Sequence, residues 1–177
     1  EQLPLEKIET PGKRKVAAVI EFLKISPNNL VKTMVYLADD KPVAVLVRGD
    51  HEVQSVKLKN FLDAVEVELA DDKQVFDATG VPSGYLGPVG ITIPVVADQE
   101  IASMQNFTIG ANEKNYHLLN ANLGRDFEVS EIADLRMIIG LLVQELQAKK
   151  SSHPLAERLL VGDALRSAAN SECGSGH

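Results

Sequence analysis

The stretch from Gly84 to His117, GYLGPVGITIPVVADQEIASMQNFTIGANEKNYH, constrains the fold of this 177-residue chain more than any other. Its opening, Gly84-Tyr85-Leu86-Gly87-Pro88, is too rich in Gly and Pro for the interior of a helix or strand, and marks a loop. A strand-like run, Ile91 to Ala97, follows and delivers Asp98 at its end. A second turn, Gly110-Ala111-Asn112, returns the chain to a short segment bearing His117. Exposed main-chain amides, a carboxylate and an imidazole can therefore converge on one rim. Taken alone, such a loop is also what any ordinary turn looks like, and His117 also fits a buried histidine bonded to backbone.

The flanking sequence supplies regular elements. After Thr10-Pro11, Val16, Val19, Ile20 and Leu23 recur at helical spacing, which predicts a helix from Lys13 to Ile25, closed by Ser26-Pro27. Leu30 to Leu37 is β-branched and aromatic and reads as a strand; Asp39-Asp40-Lys41 turns it into a second, Val43 to Arg48. Alternation puts Val31, Thr33, Val35 and Leu37 on one face and Leu30, Lys32, Met34 and Tyr36 on the other. A lysine among large apolar groups either lines a pocket or snorkels to water from the strand's end. Ser55 to Leu62 predicts a short helix, Val65 to Leu69 a strand, and Asp71 to Ala78 a helix with acidic residues in its first turn. Phe107 to Ile109 and Tyr116 to Ala121 complete an α+β pattern, a mixed sheet with interspersed helices. Beyond Ser130 the spacing of Ile132, Leu135, Ile139, Leu142 and Leu146 predicts a long helix. His153-Pro154 breaks it before a further one through Leu155, Leu159 and Leu165.

Composition narrows the function classes. Hydrophobic residues make up 45% and charged residues 24%, as in globular domains with a packed core. No apolar run approaches the roughly 18 residues that span a bilayer. A net charge of −7 argues against a general nucleic-acid binder, though Lys13-Arg14-Lys15, Lys57 and Lys59 leave room for a site taking one nucleotide end. The single cysteine, Cys173, leaves no internal disulfide. It also has no nearby base to activate it. No G-x-S-x-G elbow, P-loop or H-E-x-x-H occurs. Asp50, His51 and Glu52 adjoin on one turn, a poor geometry for shared coordination, so neither metal nor cofactor is expected.

Three segments carry a family resemblance: Val31 to Asn60 (VKTMVYLADDKPVAVLVRGDHEVQSVKLKN), Gly84 to His117, and Asn122 to Arg136 (NLGRDFEVSEIADLR). In order and spacing they resemble the editing insertion domain of bacterial-type prolyl-tRNA synthetases, within the YbaK-like superfamily of aminoacyl-tRNA deacylases. The resemblance runs over residues 10–136, roughly three quarters of the chain. It implies a mainly antiparallel curved sheet flanked by helices. Residues 137–177 have no counterpart in the pattern and are expected to be a helical extension, with the remainder of a synthetase as partner and the cytoplasm or an organellar matrix as location.

The resemblance also implies roles. Lys32 matches the family's active-site lysine and would contact the phosphate or ester region of the tRNA's terminal adenosine. Gly84, Gly87 and Pro88 match the G-x-x-x-P loop, whose amides would stabilise an oxyanion. Asp98 and His117 would border the aminoacyl pocket, with Asn112 of the GAN turn beside them. An aminoacyl ester is already activated, so water can be the nucleophile and the adjacent ribose hydroxyl can take its proton. The implied substrate is alanine on the 3′ end of tRNA(Pro). A site built for proline discriminates against the smaller alanine by about 1–3 kcal/mol, which leaves a need for editing. A non-catalytic tRNA-end module and a free-standing deacylase of cysteinyl-tRNA(Pro) are the competing readings.

Overall fold

The structure, a computed structural model, describes residues 1–137. In chain order these form β1 (Glu6–Glu9), α1 (Val16–Leu23), β2 (Val31–Ala38), β3 (Lys41–Arg48), α2 (Ser55–Phe61), β4 (Val67–Leu69), α3 (Asp72–Thr79), β5 (Val95–Asp98), β6 (Phe107–Gly110), β7 (Tyr116–Ala121) and β8 (Glu131–Ala133). The architecture is α+β, as the sequence predicts, but the strands divide into two sheets. A five-stranded sheet runs β4-β2-β3-β5-β8, and a three-stranded one runs β1-β7-β6. A parallel bridge between Leu30 and Thr108 joins them. The smaller sheet is antiparallel throughout, whereas β3, β5 and β8 of the larger pair in parallel.

Local chemistry explains most elements. The β2–β3 hairpin turns on Asp39 and Asp40, both at positive φ (47° and 62°), which aspartate tolerates better than most residues. The Asp39 carboxylate then accepts the N–H groups of Val65 and Glu66, leading the chain into β4. A reciprocal capping box, Asp71 with Gln74, starts α3, and Gly80 ends it at φ 71°.

Two expectations need correction. The strand predicted over Ile91 to Ala97 is regular only from Val95. Pro94 gives its carbonyl to the Ala44 N–H but has no N–H to return, so the ladder starts after it. The helix predicted from near Ser130 does not start there. Ser130 donates to the Val95 carbonyl, and Glu131–Ala133 continue as an edge strand beside β5. The helical spacing of Ile132 and Leu135 is coincidental, since Ile132 is exposed while Leu135 is fully buried. The other predicted helical positions, from Ile139 onward, lie outside the described residues.

The larger sheet is apolar on both faces. Between the two sheets, Val31, Leu46 and Ala97 pack against Ile101, Phe107 and Ile109. On the far face, Tyr36, Val45 and Val47 meet Leu58 of α2 and Leu135. A third cluster joins Val35 of β2 to Val75 and to Tyr85 and Leu86 of the glycine loop. That third contact clamps the loop against β2 and sets the position of the site.

Candidate active site

The glycine loop meets the β6–β7 turn backbone to backbone. A Cβ on Gly87 would lie 2.0 Å from the Gly110 carbonyl oxygen, and one on Gly110 would lie 2.3 Å from that of Leu86. No side chain fits at either position. Asn112, at φ 56°, locks the junction: its Oδ1 accepts the Gly87 N–H (2.7 Å), and its Nδ2 donates to the Val89 carbonyl (2.6 Å). Its own N–H goes to the Tyr85 carbonyl. The Gly87 amide is thus occupied, and Pro88 has none to offer. Among the described residues, the N–H groups of Gly84 and Leu86 have no partner.

Both of those residues line a cavity of about 70 Å³, walled also by Arg14, Val31, Lys32, Thr33, Gly110 and His117. Its volume is roughly that of two liquid waters. Gly84 sits at φ 90°, and a Cβ there would press on the Arg14 carbonyl at 3.0 Å, so this wall also requires glycine.

His117 belongs to β7, opposite Gly110 on one side and Ile8 of β1 on the other. It is buried, and its Nδ1 lies 2.6 Å from the hydroxyl of Thr10, itself fully buried. Burial pulls its pKa down to about 4, so the imidazole is neutral at physiological pH. A neutral ring offers one donor and one acceptor. Nδ1 is taken by Thr10, the ring packs tilted against Tyr85 at 6.1 Å, and no second hydrogen-bond partner for it exists among the described residues.

Lys32 contributes to the cavity wall, yet its ammonium leaves it. Register pairs Lys32 with Val47, Met34 with Val45 and Tyr36 with Val43, which puts its side chain on the α2 face of the sheet. There the ammonium donates to Glu52 at 2.7 Å. The stem is largely covered and the partner carboxylate largely solvated (14% and 67% exposed). Both sequence expectations for this residue hold in part: it lines a pocket, and its head group snorkels past it.

A matching family model, that of the aminoacyl-tRNA editing domain, covers residues 10–127. The chain belongs to the aminoacyl-tRNA editing family. It is 68% identical over 134 residues to a proline–tRNA ligase of Desulfotalea psychrophila and 47% identical over 135 residues to one of Geotalea daltonii. Each match takes in 76% of this chain and 24% of the ligase, so the chain spans about a quarter of the length of these relatives. A solved structure described as a candidate trans-editing enzyme for prolyl tRNA synthetase shares the fold, with a TM-score of 0.63 at 19% identity over 76% of this chain and 87% of that one.

Within this editing domain, the structure brings Gly84, Lys32 and His117 to one cavity, with Gly87 and Asn112 bracing its wall. Pro88 lines a separate open groove with Ile91, Ile93 and Phe127. Asp98 stands apart from both. It is 1% exposed, caps the turn after β5 through the Glu100 N–H, and accepts from the main-chain N–H groups of Leu135 and Arg136 and from the Arg136 guanidinium. The expectation that Asp98 borders the aminoacyl pocket gives way to a structural role, because its oxygens already hold the chain that leaves β8.

Asp98 opens an ionic cluster at that end of the sheet. Arg136 and Arg48 both reach Glu100, and Arg48 also binds Asp50 and His51. The Arg48 guanidinium holds the Asp50 carboxyl below its ordinary range, and Asp50 in turn raises Arg48. Among the described residues, no three His, Cys, Asp or Glu side chains are placed to hold a metal ion. Sequence reasoning missed Arg14, Thr10 and Leu86 as cavity or His117 partners. It also missed Thr33, although alternation had already set that lone hydroxyl on the apolar face of its strand.

Proposed function

We propose that this editing domain hydrolyses the ester of alanyl-tRNA(Pro) within a prolyl-tRNA synthetase, with water as nucleophile and no covalent protein intermediate. The observation that carries this reading is the small cavity whose wall holds two unpartnered main-chain donors, Gly84 and Leu86. Donors that are fixed before the reaction stabilise a developing oxyanion without reorganising, at about 3 kcal/mol each. The sequence assigned this work to Gly84 and Gly87. With the Gly87 amide held by Asn112, Leu86 takes the second place.

A small cavity favours the smaller acyl side chain, and on that ground alanine is proposed over proline. His117, neutral and tethered by Thr10, positions the ester or its attacking water through its free nitrogen. To act on the terminal phosphate at the rim, the Lys32 ammonium would have to leave Glu52 and swing around the strand from the α2 face of the sheet. Its pair with the solvated Glu52 is worth about 1 kcal/mol or less, so a phosphate can displace the carboxylate. The neighbouring ribose hydroxyl relays the proton of the attacking water to the leaving ribose oxygen as the acyl C–O bond breaks, so the products are free alanine and the tRNA hydroxyl. The other domains of a synthetase would supply most tRNA phosphate contacts, since this chain carries a net charge of −7.

The test is deacylation of alanyl-, cysteinyl- and prolyl-tRNA(Pro) by the purified chain and its Lys32→Ala variant. Alanine release that collapses in the variant, with prolyl-tRNA spared, is the expected result. Binding without turnover would leave a tRNA-end module in its place, and faster cysteine release would move the chain to the cysteinyl branch.

A further inference from the structure

Strand β2 turns Val31, Thr33 and Val35 toward the glycine loop, and the outer two are used in packing: Val31 meets Phe107 and Ile109, and Val35 meets Tyr85 and Leu86. Thr33 stands between them in the wall of the cavity. Its hydroxyl oxygen is shut off from solvent and has no hydrogen-bond partner among the described residues. Valine has the same shape and would fill that position without the penalty of an unsatisfied hydroxyl. A threonine there is accounted for if its partner arrives with the ligand.

The other unpartnered groups of the cavity define what that ligand carries. Gly84 and Leu86 offer N–H donors, which require an acceptor such as an ester carbonyl. Thr33 offers an oxygen on the opposite strand wall, suited to a donor attached close to that carbonyl. Rotation about χ1 moves the hydroxyl between staggered wells, and recognition requires the well that turns the oxygen into the cavity. An acyl group bearing an α-amine has this arrangement of acceptor and donor. The Lys32 ammonium, drawn to Glu52 on the other face, leaves the α-amino position free of a competing cation.

We infer that Thr33 recognises the α-amino group of the bound aminoacyl ester. The inference rests on the editing function proposed above and adds to it the residue by which the domain distinguishes an amino acid from other acyl groups.

Two hydrolysis-resistant probes test it: 3′-deoxyadenosine carrying an amide-linked alanyl group at the 3′ position, and the same compound carrying a propionyl group. Binding of each to the whole chain and to Thr33→Val and Thr33→Ser is followed by NMR titration. The native chain is expected to prefer the alanyl probe about tenfold, the scale of one hydrogen bond to a charged group. Thr33→Val abolishes that preference by weakening the alanyl probe alone, its melting temperature unchanged or raised, and Thr33→Ser restores it. Equal weakening of both probes, a preference that survives in Thr33→Val, or no binding of either probe to the native chain overturns the inference. Alanyl-tRNA(Pro) hydrolysis by the native chain separates that failure from failure of the editing function itself.

Discussion

Two neighbouring regions of the same five-stranded sheet solve opposite problems. At the end of β5, six charged or titratable side chains (Arg48, Asp50, His51, Asp98, Glu100 and Arg136) bind one another and the backbone of residues 135–136. Under the glycine loop the side chains are mostly apolar or neutral, and the groups left without hydrogen-bond partners are two amides, one hydroxyl and the second ring nitrogen of His117. The ion cluster is the more conspicuous in sequence, and its charges are nearly all engaged in structure. Most of the unmet hydrogen-bonding capacity lies under the glycine loop, although the buried Nδ1 of His51 in the ion cluster also lacks a hydrogen bond. Ligand affinity comes from groups not already satisfied in the free protein, so the cavity, and not the ion cluster, is where function is sought.

Four perturbations sharpen or break that contrast. The largest effect is expected from Gly87→Ala, whose new carbon would fall within 2.0 Å of a main-chain oxygen. Urea unfolding should report a loss of about 3 kcal/mol or more, together with lost editing. An unchanged midpoint would mean the loop and the β6–β7 turn separate easily, and the cavity is not preorganised. Next is Asp98→Asn, which takes the charge from a buried acceptor of two N–H groups and a guanidinium. It should lower stability by about 3 kcal/mol. Deacylation measured below the melting transition should stay near native, and a selective fall in kcat would return Asp98 to the active site.

The third concerns pH. His117 has a folded-state pKa of about 4 against 6.5 for a free imidazole, so the unfolded chain binds its proton first as pH falls. Its contribution to stability is therefore complete above 6.5, drains away as pH falls through the interval, and is exhausted below about 4. The full loss is on the order of 3 kcal/mol. Unfolding free energies across that range should flatten in His117→Gln, and parallel curves for both proteins would show the ring to be solvated. The smallest effect belongs to Lys32→Ala. Breaking the pair with Glu52 should move stability by about 1 kcal/mol or less while editing collapses. A large stability loss there would make the lysine part of the core and remove the contrast.

Much of the framework was legible because it depends on neighbours in sequence. Asp71 and Gln74 announce the start of α3, Gly80 its end, and Asp39-Asp40 the hairpin, since caps and turns are local hydrogen bonds. Strand β1 gave no such signal: EKIE has one apolar residue and becomes a strand by pairing with β7. Strand β8 likewise resembled the start of a helix until β5 offered it an edge. The resemblance located the loop, Lys32 and His117, but it did not say which way each group faces.

By itself the sequence determined most of the elements and the need for glycine in the 84–88 loop. These follow from backbone preference and short-range pattern. Tertiary structure alone decided that the Gly87 amide is taken and that of Leu86 is free, that Asp98 holds the exit from β8, and that Thr33 rather than the Lys32 ammonium faces the loop. Each of these depends on hydrogen bonds or strand register between residues far apart in the chain. Whether a polar group is available to a ligand is settled by which distant partner reaches it first.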